Sequence, residues 1–179
     1  MRLVPVIAGA VLALALLVPP SISRAADEPP DRPVKESQVR KGSGLPVPRF
    51  ASMRSDDVNV RAGPGTRYPV EWVFQRKNMP VEVISEFDTW RRIRDWQGAT
   101  GWVHQSMLTG KRTLVVTARE AQLLRTPETG APLVARLETS VQGEILNCKG
   151  AFCRIEVQKH RGWIERKSIW GIYPSETLD

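Results

Sequence analysis

Beyond residue 49 the apolar positions come in short alternating runs, broken by turn formers at the spacing of roughly 8–12 residues that marks small all-β domains. Val58-Asn59-Val60 alternates, and Gly63-Pro64-Gly65 closes that run with proline and glycine where a type II turn places them. Residues 70–74 form a second run, ended by Arg76-Lys77-Asn78, and residues 81–84 a third, followed by a loop at 86–89. Residues 90–96 form a fourth, 97–100 a hairpin turn, and Gly101-Trp102-Val103 the last. A two-residue period predicts strands with one buried face, and no window carries a 3.6-residue period. The pattern predicts an all-β unit of five short strands, a small barrel or sandwich.

The series then recurs. Asn59-Val60-Arg61 aligns with Leu123-Leu124-Arg125, Tyr68-Pro69-Val70 with Ala131-Pro132-Leu133, and 81–84 with 143–146. Trp90-Arg91-Arg92-Ile93 aligns with Phe152-Cys153-Arg154-Ile155, and Gly101-Trp102-Val103 with Gly162-Trp163-Ile164. The offset drifts from 64 to 61, with the gaps in turns, as strand pairing demands: a one-residue slip inside a strand inverts its faces. Arg125-Thr126-Pro127-Glu128 lacks the two glycines of the first copy, so its turn is expected to use another geometry. The division is therefore 50–113 for one barrel and 114–179 for the next. Two barrels of this size are individually marginal and are expected to pack on one another.

The front of the chain is different. Eight of the 14 prolines lie in residues 1–49, whereas all six tryptophans lie from Trp72 to Trp170. Residues 1–25 read as a secretory signal: Arg2, an apolar run from Val4 to Val18, Pro19-Pro20, and Ser23-Arg24-Ala25 before a cleavage point at Ala26. The run is short for a bilayer span of about 20 residues, so no stable membrane span is expected after cleavage; retention as an anchor is the competing reading. Residues 26–49 are polar and proline-studded, and read as a flexible linker. Composition is otherwise ordinary for a globular chain of 179 residues, 41% hydrophobic and 25% charged with a formal net charge of +7. An exported, modestly basic chain is expected in the periplasm or beyond, meeting anionic wall polymers or envelope proteins and no nucleic acid.

Asn59-Val60-Arg61-Ala62-Gly63-Pro64-Gly65 with Gly101-Trp102-Val103 resembles the signature of bacterial SH3-like domains, small β-barrels of exported envelope proteins. The tail Cys148, Phe152 to Ile155, Gly162-Trp163-Ile164 and Trp170-Gly171 resembles the second domain of a two-copy form from Gram-negative bacteria. The resemblance covers residues 50–174. It implies a non-catalytic module that binds cell-wall peptides, glycans or envelope proteins.

The cysteine pair agrees with export. Cys148 and Cys153 stand opposite one another across a predicted hairpin, where a disulfide is expected to pin the turn. The matching residues of the first copy are Glu86 and Arg91, an opposite-charge pair expected to contribute only ~0–1 kcal/mol if exposed. A zinc site from the two cysteines with His104 and His160 fits no compact zinc module, with His104 expected at the solvent, and a bridged cysteine is no nucleophile. No metal, cofactor or catalytic constellation is expected, and the chain is read as a binding module and not an enzyme. The candidate ligand residues are Tyr68, Trp72, Trp90, Arg92, Arg94 and Trp96, aromatic faces for stacking interleaved with guanidinium groups for carboxylates. Trp102 and Trp163 are expected in or beside the cores, Arg61 bracing its turn, and Trp170 and Tyr173 against the second barrel. Trp90 serves equally well as a lid on the barrel end, and Arg92 and Arg94 as a solvated strand face. The leading function is recognition of a cell-wall peptide or glycan by the first barrel; the alternative is an adaptor for an envelope enzyme or sensor. The exported protein is expected to begin at Ala26, which its intact mass reads directly; a mass retaining residues 1–25 would instead establish an uncleaved anchor.

Overall fold

Buried valines and isoleucines at alternate positions organise the strands. Val58 and Val60 are inaccessible while Asn59 between them is exposed, and Arg91, Ile93 and Val103 are buried while Arg92 is exposed. The computed structural model describes residues 42–178; the expected signal and most of the expected linker lie outside the described residues. The first half comprises β1 (Arg49–Met53), β2 (Val58–Arg61), β3 (Val70–Phe74), β4 (Pro80–Phe87), β5 (Trp90–Arg94), β6 (Thr100–His104) and β7 (Leu108–Thr109). The second comprises β8 (Thr113–Val116), β9 (Glu120–Leu124), β10 (Leu133–Glu138), β11 (Gln142–Lys149), β12 (Phe152–Val157), β13 (His160–Glu165) and β14 (Ile169–Trp170). The described helical segments are two three-residue 3₁₀ turns, before β7 and before β14.

Each half is one antiparallel sheet, ordered β3-β2-β6-β5-β4-β1-β7 and β10-β9-β13-β12-β11-β8-β14, so the chain writes one seven-stranded unit twice. Seven strands stand in each where the apolar runs predict five. The additional ones, β1 with β7 and β8 with β14, include two-residue strands too short to show any period. Each sheet wraps its own core, Met53, Val58, Val60, Val81, Val83, Ile93 and Val103 in the first, and Leu114, Leu123, Ile145, Ile155 and Ile164 among others in the second.

The pairing register corrects the alignment at its first step. Arg61 lies opposite Trp102, and Leu124 opposite Trp163. Arg61 therefore corresponds to Leu124, one position away from the sequence match to Arg125. The two adjacent leucines are both buried, but Leu123 lies against Gly162 as Val60 lies against Gly101, and so occupies the inward place of Val60.

The second copy's first turn keeps the hydrogen bonds of the first but, as expected, not its backbone: Gly130 has a φ of 86°, in the left-handed region, and its counterpart Arg67 does not. Tyr68 N–H donates to Gly65 O and Ala62 N–H to Pro69 O; Ala131 N–H donates to Glu128 O and Arg125 N–H to Pro132 O. The space above the turn differs as well. A Cβ on Gly63 would lie 2.5 Å from the Tyr68 ring, so the ring excludes any side chain there. The second copy has Thr126 where Gly63 stands and Ala131 where Tyr68 stands, a small residue facing a larger one with the roles exchanged.

The two barrels meet around Phe50 of β1. Its ring lies edge-on to Trp170 at 4.9 Å and tilted to Tyr173 at 4.7 Å, with the Arg112 guanidinium 5.7 Å over it. Trp170 and Tyr173, expected against the second barrel, thus also reach the first. Tyr173 donates its hydroxyl to Glu82 Oε1 at 2.8 Å, and Arg94 pairs with the other oxygen at 2.5 Å. Burial, then the bond to Glu82, raises the Tyr173 pKa well above its ordinary value, so the hydroxyl stays a donor. Arg112 also pairs with Glu176 and donates to Gly171 O at 2.9 Å, holding the tail to the start of the second barrel.

Gly63→Thr alone is expected to destabilise the protein by about 1–3 kcal/mol through overpacking, and Tyr68→Ala in the same chain to recover most of it. A double-mutant cycle of denaturation midpoints measures that coupling; additive losses would show that the ring is not the obstacle.

Candidate functional site

The hairpin end that carries the disulfide in one barrel carries a buried ion pair in the other. Cys148 and Cys153 face one another across β11 and β12 and are bridged, with 4.0 Å between their Cα atoms. The Cys148 N–H donates outward to Leu178 O, which makes this the closer, non-hydrogen-bonded kind of cross-strand pair. In the first barrel Glu86 and Arg91 occupy the same register and pair at 3.0 Å. Exposure was the condition set for that pair, and it is absent: the Arg91 side chain is 3% accessible and that of Glu86 9%. Such a pair persists only with its remaining donors and acceptors satisfied. Glu86 also accepts from Arg49 at 2.6 Å and from the Ser43 amide and hydroxyl at 2.5 and 2.7 Å. Arg91 donates further to Gln105 Oε1 and to the carbonyls of Asp88 and Trp90. Ser43 belongs to the segment read as linker, whose described end is thus anchored by hydrogen bonds that apolar patterning does not register. Burial would raise the Glu86 pKa, but the hydrogen bonds from Ser43 and Arg49 outweigh it and hold the carboxyl below its ordinary value.

On the outer face of the first sheet a row of neighbouring residues crosses five strands. Ser85 lies beside Arg92, Arg92 beside Trp102, Trp102 beside Arg61, and Arg61 beside Val70. Trp102 stands on this outer face, half-buried beside the core. The reason lies in its neighbours. Gly101 must face inward, because a Cβ there would meet Val60 Cγ1 at 2.3 Å and Trp72 at 3.1 Å, and Val103 is fully buried. The residue between two inward positions points out. Arg92 is exposed and makes no hydrogen bond or ion pair among the described residues. Arg61 braces its turn, donating to Thr66 O and Tyr68 O at 3.2 and 2.8 Å.

Trp90 shares this face. It pairs with His104, their rings edge-on at 5.5 Å, and His104 Nδ1 lies 2.7 Å from Ser106 Oγ. His104 is half-buried, whereas the sequence placed it at the solvent. It also lines a cavity of about 520 Å³ whose walls include Leu45, Arg49, Arg91 and Gln105.

The remaining candidates lie apart from that row. Arg94 is on the same strand but is committed to Glu82 and the junction with the second barrel. Trp72 faces inward, opposite Val60 and 6.5 Å from Phe74, at the edge of the core. Tyr68 lies against the glycine turn, with the Arg67 guanidinium 5.2 Å from its ring. Trp96 sits in the turn after β5, where Asp95 Oδ1 accepts from the Gln97 and Ala99 amides. Of the six, Trp90 and Arg92 stand together on the open face. Trp102 and His104 are the neighbours that sequence reasoning did not include; strict alternation from buried Val103 was the signal available for Trp102.

A family model described as the bacterial SH3 domain matches residues 54–110 and again 117–171, more than half of the chain. No curated protein matches. Among solved structures, NlpC2 from Trichomonas vaginalis is similar at 14% identity over 70% of this chain and 49% of that one, with a TM-score of 0.31. NlpC1 from the same organism is similar at 15% identity over 73% and 48%, with a TM-score of 0.30. The chain spans about half the length of these two.

The depressed Glu86 pKa fixes a direction for acid sensitivity. Its contribution to stability is present above the ordinary carboxylate value of 4.5 and is lost as pH falls through the lower folded value. Glu86→Gln is therefore expected to be less stable than wild type at neutral pH, with the gap closing below pH 4.5. Urea midpoints across that range measure it; a gap that stays constant with pH would remove the titration from the account.

Proposed function

The chain belongs to the bacterial SH3 domain family, whose members are cell-wall binding modules, and on that footing we propose that it recognises a cell-wall peptide or glycan without catalysing a reaction. The observation that carries the reading is the open face of β5 and β6, where Trp90, Arg92 and Trp102 stand together with a guanidinium free of any partner among the described residues. An indole offers a flat apolar face to the C–H side of a sugar ring or to a peptide plane. A guanidinium offers two parallel donors to a carboxylate, the charged group of such polymers. Rigid strands hold these groups, so little ordering cost is left for binding. We place the protein in the periplasm, where such a ligand is met and where a structural disulfide is kept oxidised.

Co-sedimentation with purified sacculi tests this. Wild type is expected to be retained. Arg92→Ala and Trp90→Ala are each expected to weaken retention roughly tenfold, about 1.4 kcal/mol, with the thermal transition of Arg92→Ala unchanged. Loss of sacculus retention in wild type, together with stoichiometric capture of one envelope protein, would replace this reading with that of an adaptor.

A further inference from the structure

The second barrel repeats the outer row of the first, position by position. Asn147 lies beside Arg154, Arg154 beside Trp163, Trp163 beside Leu124, and Leu124 beside Leu133. These are the register equivalents of Ser85, Arg92, Trp102, Arg61 and Val70. Three features recur. The arginine is exposed with no hydrogen bond or ion pair among the described residues. The tryptophan is half-buried on the outer face, because Gly162 beside it must turn inward: a Cβ there would lie 2.7 Å from Leu123 Cγ. The row ends in an exposed aliphatic residue, Val70 at 42% and Leu133 at 46% accessible.

Packing accounts for the inward residues but not for this outward set. The free guanidinium and the aliphatic end satisfy no partner and fill no core. Around them the copies differ widely, with an ion pair against a disulfide and Gly63 and Tyr68 against Thr126 and Ala131. The recurrence of cation, indole and aliphatic residue in one row is therefore not a by-product of overall likeness between the barrels.

We infer that Arg154, Trp163 and Leu133 form a second ligand site, equivalent to that of the first barrel, so that each chain grips two segments of one carboxylate-bearing glycan or peptide polymer. The inference rests on the reading of the first barrel given above. From the arginine strand to the strand with the aliphatic end is three strand spacings, about 14 Å, room for two or three sugar rings or a short extended peptide. Where the first row has Arg61, the second has buried Leu124, so the second row carries one cation fewer. The Phe50 cluster and the Glu82–Tyr173 bond hold the barrels together, so binding at one site presents the other to the same polymer at a fixed spacing. Two linked sites raise avidity by about 10²–10⁴ over either alone.

The experiment uses the full mature chain and two probes, intact sacculi and the soluble single-repeat fragments that a muramidase releases from them. Arg154→Glu reverses an exposed charge and touches no core residue, so its fold is expected to hold; Trp163→Ala is the second variant. Calorimetric titration with the fragment is expected to give two bound per wild-type chain, and one per chain in Arg154→Glu and in Arg92→Glu. On sacculi, either single variant is expected to lose at least tenfold in affinity, and the pair together to abolish retention. One fragment per wild-type chain, with Arg154→Glu and Trp163→Ala indistinguishable from wild type on sacculi while Arg92→Glu loses binding, would overturn the second site and leave the first standing. Failure of wild type to bind either probe would overturn both.

Discussion

In an extended strand, two adjacent side chains cannot both face the core, and that constraint decides most of what this molecule presents to its surroundings. Gly101 and Val103 turn inward because Val60 and the edge of Trp72 leave room for nothing larger than hydrogen at one and need a methyl-bearing residue at the other. Trp102 between them is thereby placed outside, next to Arg92, whose own neighbours Arg91 and Ile93 are buried. The second barrel reaches the same outcome with different atoms, Leu123 excluding a side chain from Gly162 and Trp163 emerging beside Arg154. The outward surface is a consequence of the inward packing.

The same barrel also tolerates two chemistries at one mechanical point. At the end of the β4–β5 hairpin a carboxylate and a guanidinium are buried together. They are stable there because Ser43, Arg49, Gln105 and two backbone carbonyls occupy their remaining hydrogen-bonding capacity. In the second barrel a disulfide ties the equivalent residues, and nothing comparable gathers around it, since a covalent bond between sulfurs needs no desolvated charge to be balanced. A loop this short gives the bridge less than the usual 2–4 kcal/mol of entropic stabilisation, so its main effect is to fix register. In both copies a neighbouring segment closes over the tie, Ser43 on Glu86 and Leu178 on Cys148.

The junction turns two marginal barrels into one body. Phe50, Trp170 and Tyr173 contribute aromatic contacts, each of a kind worth about 0.5–1.5 kcal/mol beyond the area they bury. Glu82, buried to 4% accessibility, has both carboxyl oxygens occupied, one by Arg94 and the other by the Tyr173 hydroxyl. Arg94, a candidate ligand residue in the sequence because it is interleaved with aromatic residues, is committed to holding the barrels together. A binding surface borne on both barrels requires that kind of rigidity.

Strand alternation, the doubling of the unit, the hairpin cysteines and the brace from Arg61 were all legible in the residues alone, because each depends on neighbours within a few positions along the chain or on a pattern that repeats. The candidate surface was only half legible. Trp90 and Arg92 share a face by simple alternation, whereas Trp72 is drawn into a core edge by residues distant in the chain and Tyr68 is held on its own glycine turn. The one-residue correction from Arg125 to Leu124 has the same origin: two adjacent leucines look alike in sequence, and only the cross-strand partner Trp163 distinguishes them. Burial of the Glu86–Arg91 pair, the role of Arg94 and the meeting of Phe50 with Tyr173 were decided by the tertiary structure, since which charge loses its water depends on what folds over it.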